Sequence, residues 1–402
     1  MTGMTFGSQL RQHRLEAGQS LADLACQVHV HRTHVHHVET GKRVPSRELA
    51  EAADQALGAD GRLVQAFDEE DQQRRQQAAT RRTLAASLGA SRKLVELADL
   101  ELDELHAGVE ETAVDYLGTA PGPMLHRADA LRRDALSRLR DYRHGPHERS
   151  DLYVAAGRLS GILAYSALDL GDADAALEHA RAAGRCAQHA GDTELLMWVR
   201  GTQSLIARFN GDYGIALDYV RDGLQYVGDV PGTGEARLLC GEVQCLANLG
   251  DSRAANRMLH MAEQARERAR RPDSLAGLFE FSETKQRYYA ASSLIWLNGG
   301  DDARTAAAEA QAAIGAWERM PVEKRSLDDE RLCRIYLATA HVQLGEVEAA
   351  AEAMTPVLAL PAEAQISWIN KRAHRVGSML AAPRYRRSPA AVDLREAIGA
   401  LG

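Results

Sequence analysis

Ser20-Leu21-Ala22-Asp23-Leu24-Ala25-Cys26-Gln27-Val28 is followed, after His29-Val30-His31, by Arg32-Thr33-His34-Val35-His36-His37-Val38-Glu39-Thr40-Gly41-Lys42-Arg43-Val44-Pro45. Ser20 is suited to an N-cap, because its hydroxyl can accept from a free backbone N–H of a first helical turn. Leu21, Leu24, Ala25 and Val28 then share one helical face, and Cys26 is expected to belong to it. A second short helix follows the polar break, with Val35 and Val38 pointing inward. At about 100° per residue, Thr33, His36, His37 and Thr40 fall on the side away from those valines. Gly41 and Pro45 end the pattern.

Two short helices joined tightly, the second polar on its outer side, make a helix-turn-helix pattern whose second helix can enter a DNA major groove. The stretch resembles the Cro/phage-repressor family, also called the xenobiotic-response-element family. Leu24-Ala25, Val35-x-x-Val38-Glu39 and the exit Gly41-Lys42-Arg43-x-Pro45 carry the likeness. Leu10-Arg11-x-x-Arg14 fits the first helix of that family, and Leu49 to Leu57 the fourth, so the resemblance spans residues 5–60. It implies base or backbone contacts from Arg32, Thr33, His34 and His37, phosphate contacts from Lys42 and Arg43, and a structural ion pair between Arg14 and Glu39. Leu21 stands where family members often carry Gln.

Charge sets a constraint on that reading. Residues 1–60 hold six Lys and Arg against seven Asp and Glu, together with six histidines. Binding to DNA rests largely on neutralised phosphates, yet here the basic residues gather at the second helix and its exit. Arg74, Arg75, Arg81, Arg82, Arg92 and Lys93 follow in a Gln- and Ala-rich stretch that reads as a solvated, basic helical linker over 63–93. The i, i+3 pair His34 and His37 has a spacing that could hold a metal, but a structural zinc site needs four convergent ligands. The imidazoles, His36 included, are instead expected to be hydrogen-bonding groups toward bases or phosphates, and no metal is expected. Since histidine titrates near about pH 6.5, DNA affinity is expected to rise on mild acidification.

The chain of 402 residues is long enough for two or three domains, and 45% apolar against 26% charged residues makes it globular. Ala and Leu dominate and aromatics reach only 5%, which favours packed helices over sheets. Five cysteines, an odd number without CxxC spacing, suit a reducing cytoplasm. No apolar run is long enough to span a membrane. Arg81-Arg82-Thr83-Leu84 superficially resembles a twin-arginine export signal, but it is internal and its apolar part is short.

Beyond Leu94 the informative signal is a repeat. Gly171-Asp172, Gly211-Asp212, Gly250-Asp251, Gly300-Asp301 and Gly345-Glu346 recur at intervals of 40, 39, 50 and 45. Five residues after each glycine stand Ala176, Ala216, Ala255, Thr305 and Ala350, where a small side chain lets two antiparallel helices approach; Thr305 is the outlier. Gly211-Asp212-Tyr213-Gly214-Ile215-Ala216-Leu217 is close to a tetratricopeptide inter-helix turn. The expected fold is therefore all-α: a helix-turn-helix domain over 1–62, the linker over 63–93, and a tetratricopeptide-like solenoid over 94–402 that senses a ligand and dimerises.

This order of domains resembles Gram-positive peptide-receptor regulators and an actinobacterial set of regulators. In the peptide receptors, polar residues on the first helix of each hairpin clamp a peptide backbone, and projecting the repeat places Arg237, Gln244, Asn248, Arg287 and Asn298 there. Trp198, Trp296, Trp317 and Trp368 are expected to pack between hairpins, and Asp328-Asp329-Glu330 to open a helix. No phosphate loop, HExxH, GxSxG or Cys-His arrangement occurs, so neither catalytic residues nor a cofactor are expected. The expectation is a cytoplasmic regulator, homodimeric on a double-stranded operator, that senses a peptide, small molecule or protein partner. The alternative is an interaction scaffold whose helix-turn-helix is vestigial or docks protein.

Overall fold

Caps and left-handed glycines recur along this chain, and each pair of them delimits one helix. The computed structural model describes residues 5–94, 103–140, 145–228, 232–297, 299–360 and 366–401, and every regular element among them is helical. No described helix is long and apolar enough to cross a membrane. The chain divides into two units, residues 1–82 and 83–402.

The first unit holds α1 (Phe6–Glu16), α2 (Leu21–Gln27), α3 (Arg32–Glu39), α4 (Arg47–Leu57) and the opening turns of α5 (Arg62–Leu94). Thr5, Ser20, His31 and Ser46 each accept a first-turn N–H at the start of α1, α2, α3 and α4, and Ser20 with Asp23 completes a capping box. Leu24, Ala25, Val28, Val35 and Val38 are buried with Phe6, Leu10 and Leu49. Leu63, Ala66 and Phe67 join that core, so the opening of α5 closes the N-terminal domain, beyond residue 62. Cys26 is a correction: it is exposed, because it falls off the stripe that buries Leu24, Ala25 and Val28. Gly7 lets α1 lie close to α3, since a Cβ there would stand 2.3 Å from the Val38 carbonyl oxygen.

The second unit begins within α5 and stacks seven antiparallel hairpins among the described residues. They are α6 (Asp103–Asp115) with α7 (Pro121–Arg138), α8 (Pro146–Asp169) with α9 (Ala173–Ala190), α10 (Thr193–Asn210) with α11 (Tyr213–Leu224), and α12 (Gly234–Asn248) with α13 (Ser252–Arg268). Next come α14 (Glu283–Leu294) with α15 (Gly300–Glu318), α16 (Leu327–Leu344) with α17 (Val347–Leu358), and α18 (Ser367–Leu380) with α19 (Pro389–Gly399). The Gly-Asp dipeptides act twice: Gly171 and Gly250 take φ of 87° and 84°, letting Asp172 and Asp251 donate back into the preceding helix. The same aspartates then cap the next helix through Ala175 N and Ala254 N. Ala176, Ala216, Ala255 and Ala350 are fully buried at these crossings. In the hairpin of α14 and α15 Thr305 is exposed and the buried small residue is Ala306, one position later, because Gly300 already belongs to α15.

A Cβ at Gly250 would meet nothing within 4 Å. Gly250→Ala is therefore expected to cost about 1–2 kcal/mol through backbone strain alone, measurable by chemical denaturation. A neutral substitution would mean that the turn relaxes freely.

The long interval between Gly250 and Gly300 has a structural cause. Residues 269–282 leave the hairpin pattern and carry a short 3-10 turn, Gly277–Phe279, that packs against α6. The first helices of the hairpins, α8, α10, α12, α14, α16 and α18, pack in series, and α18 returns to α8, where the Ser367 hydroxyl donates to the Leu168 carbonyl at 3.2 Å. These inner helices line a cavity on the concave side.

Candidate nucleic-acid interface and ligand cavity

In the first unit the geometry of α3 follows from its two buried valines. With Val35 and Val38 inward, Arg32, Thr33 and His36 are exposed, and His34 and His37 are half-buried at the edges of the helix. Lys42 and Arg43 are exposed just past its C-terminus. His31 caps α3, its Nδ1 accepting from Thr33 N at 3.3 Å, which makes one member of the histidine cluster a structural residue. His29 turns the chain between α2 and α3 with a φ of 53°, a left-handed conformation unusual for a side chain of its size. Burial, then the charges of Arg43 and His37, hold the His34 imidazole below its ordinary range. In the free protein its ring therefore stays neutral to lower pH than an unperturbed histidine.

Arg14 and Glu39 fix α3 against α1. The guanidinium donates from Nε to Oε1 at 2.6 Å and from Nη2 to Oε2 at 2.9 Å, a bidentate pair. Its Nη1 also donates to the Gln19 carbonyl at 2.8 Å, which ties in the turn before α2. The Glu39 side chain is only 3% exposed. Hydrogen bonding to Glu39 raises the pKa of Arg14 further, against the opposing effect of burial.

In the second unit the inner helices converge on a cavity of about 110 Å³. Of the five residues projected onto this face, Arg237, Gln244 and Asn248 line it. Arg287 does not: its guanidinium reaches Glu283 at 2.8 Å and Glu309 at 3.1 Å, toward α15, because its position on α14 turns outward. Asn298 lies outside the described residues. Arg237 is largely a structural anchor, donating to the Trp198 carbonyl at 2.6 Å and to Thr202 Oγ1 and the Tyr165 hydroxyl at 3.1 Å. Gln244 donates to the Ser292 hydroxyl, and Asn248 to the Gln244 carbonyl at 2.8 Å.

The other lining residues come from helices far apart in sequence. Tyr116, Tyr165, Tyr288 and Tyr336 supply an aromatic wall, and Asp169, Asp328 and Asp329 a group of carboxylates. Burial pushes the Asp169 carboxyl well above the usual carboxylate range, against the opposing hydrogen bond from Tyr116. The first-turn aspartates of α16 thus open a helix and also face the cavity. Lys285 donates to the carbonyls of Gly277 and Glu280 at 3.3 and 3.2 Å, and burial lowers its pKa. Trp198 and Trp317 pack in the core, whereas Trp296 and Trp368 also line the cavity.

No curated protein matches the chain. Among solved structures it is similar to Bacillus thuringiensis PlcR in complex with the peptide PapR7 and DNA, at 12% identity and a TM-score of 0.29, over 65% of this chain and 94% of that one. Residues 5–67 match the family model of a helix-turn-helix domain, and the N-terminal unit of this chain carries that domain.

Proposed function

We propose that the chain is a sequence-specific DNA-binding transcriptional regulator, with α3 as the helix that enters the major groove. One observation carries this reading: α3 exposes Arg32, Thr33 and His36 beside Lys42 and Arg43, while Glu39 on the same helix is clamped by Arg14. Arg32 and Thr33, at the N-terminal end of α3, and His36 and His37 further along it would meet base edges. Lys42 and Arg43 would neutralise phosphates. The repeat unit is read as a sensor whose cavity takes a ligand, and as the dimerisation surface that sets two modules on half-sites about 34 Å apart or a multiple of that.

Arg32→Ala is expected to lose about 1–3 kcal/mol of preference for the operator over random DNA. Lys42→Ala is expected to weaken both alike and flatten the salt dependence of log Kd by about one unit. Fluorescence anisotropy across a salt series separates the two. Equal losses on operator and random DNA for Arg32→Ala would remove that residue from base recognition. Light scattering that gives a monomer both free and on DNA would remove the dimer.

A further inference from the structure

The carboxylates and the arginines around the cavity of the repeat unit differ in how well their charges are matched. The carboxylates have partners: Asp169 accepts from the Tyr116 hydroxyl, Asp328 pairs with Arg331 at 2.7 Å, and Asp329 accepts from the Ser326 hydroxyl at 2.6 Å. A group of arginines is not matched in this way. Arg208 lines the cavity and is only 6% exposed. Among the described residues its guanidinium makes a single hydrogen bond, from Nε to the Ser204 carbonyl at 3.3 Å, and lies 5.8 Å over the Tyr289 ring.

The next residue, Phe209, brings α18 against this point: its carbonyl accepts from Lys371 at 2.7 Å and its ring meets Trp368 at 4.4 Å. Arg372 of α18 lines the same cavity beside the rings of Trp296 and Trp368, and its Nε is buried without a partner among the described residues. Arg375 lies on the Trp296 ring, and burial together with repulsion from Arg372 pushes its pKa down to about 10. Among the described residues no carboxylate comes within ion-pair distance of Arg208, Arg372 or Arg375. Guanidinium groups withdrawn from water without a counter-charge destabilise a fold, and a cavity is where a counter-charge can arrive.

We propose that Arg208 and Arg372 form an anion subsite, which takes the carboxylate of a ligand whose apolar body lies against Trp296, Trp368 and Tyr213, all of which line the cavity. The proposal rests on the reading of the repeat unit as a ligand sensor. It commits to a single negative charge, because the carboxylates of Asp328 and Asp329 line the same cavity and repel a second one. Planar bidentate recognition by arginine favours a carboxylate, and the apolar ring faces favour an aromatic or aliphatic body.

The test is thermal unfolding of the full chain with four probes: 3-phenylpropionate, N-acetyl-Leu-Phe with a free carboxylate, the same dipeptide as its C-terminal amide, and inorganic phosphate. The expected result is stabilisation by at least one of the two carboxylates and by neither the amide nor phosphate. A response to the dipeptide alone would assign the subsite to a peptide C-terminus, and a response to both acids to small organic acids as well. Arg208→Met and Arg372→Met should each abolish the response, and Arg287→Met should keep it. Without any probe, Arg208→Met should raise Tm by about 2 °C, because a buried unmatched charge has been removed. Equal stabilisation by amide and acid, stabilisation by phosphate alone, or a full response in both methionine variants would overturn the proposal. If an acid stabilises the chain yet never alters DNA affinity, the subsite stands and the sensor reading fails. If host extract shifts DNA affinity while neither acid stabilises, the subsite fails and the sensor reading stands.

Discussion

Arg14→Ala is expected to lower the stability of the N-terminal unit by about 3–5 kcal/mol, the cost of stranding one member of a buried ion pair. The loss is large because the partner cannot reach water: the Glu39 side chain is 3% exposed and both its oxygens are held by this one guanidinium. The Gln19 carbonyl loses its donor at the same time. Hydrogen exchange on the full chain reads the effect locally. Amides of α1 and α3 should lose protection while those of the repeat unit keep theirs, and operator affinity should fall with them. Arg14→Lys should recover the charge but not the bidentate geometry, and should lie between the two. A loss below about 1 kcal/mol would mean that the pair behaves as a surface ion pair.

The second large effect is expected at Arg132, on α7 in the repeat unit. Its side chain is fully buried, donates to Asp129 at 3.0 Å and to the Ser87 hydroxyl at 2.7 Å, and meets His179 Nδ1 at 3.2 Å. Ser87 lies on α5 and His179 on α9, so one guanidinium holds three helices. Arg132→Ala leaves a carboxylate that is 1% exposed with Arg133, at 3.0 Å, as its remaining partner among the described residues. The expected cost is about 3–5 kcal/mol, toward the lower end because Arg133 remains. Chemical denaturation at neutral pH measures it, and a loss within experimental error would contradict the assignment.

The same cluster sets a pH dependence. Burial, then the charge of Arg132, pushes the pKa of His179 down to about 3. An unfolded histidine titrates near about 6.5, so the unfolded chain binds more protons between those values. The contribution of His179 is therefore fully present above about pH 6.5 and is lost progressively as pH falls toward about 3. His179→Gln should flatten the stability profile in that window, and an unchanged slope would place the titration elsewhere.

The N-terminal unit was legible in the sequence because its determinants are local. Ser20 caps within three residues, and Val35 and Val38 sit one turn apart on a helix of eight residues. Its end was harder to read, because Phe67 looks like a linker residue until it meets Phe6, at a ring-centroid distance of 6.3 Å, across more than sixty residues of chain. In the repeats, the Gly-Asp turns marked four first-to-second helix junctions, since a left-handed glycine and an aspartate cap are both sequence-local needs. The cavity was not legible in the same way. Its walls come from six inner helices, from Tyr116 after α6 and from the segment 269–282, which no repeat period contains. Projection by repeat register located Gln244 and Asn248. It failed at Arg287, which pairs with Glu283 and Glu309 instead, and it did not include Arg208, which lines the cavity.

The most direct measurement of the central claim is genome-fragment selection with the purified full chain, run in parallel with Arg32→Ala. The expected result is enrichment of one two-fold symmetric site, its half-sites about one helical turn of DNA or a multiple apart, by the wild type and not by the variant. No enrichment over input, or the same site recovered equally by Arg32→Ala, would contradict it.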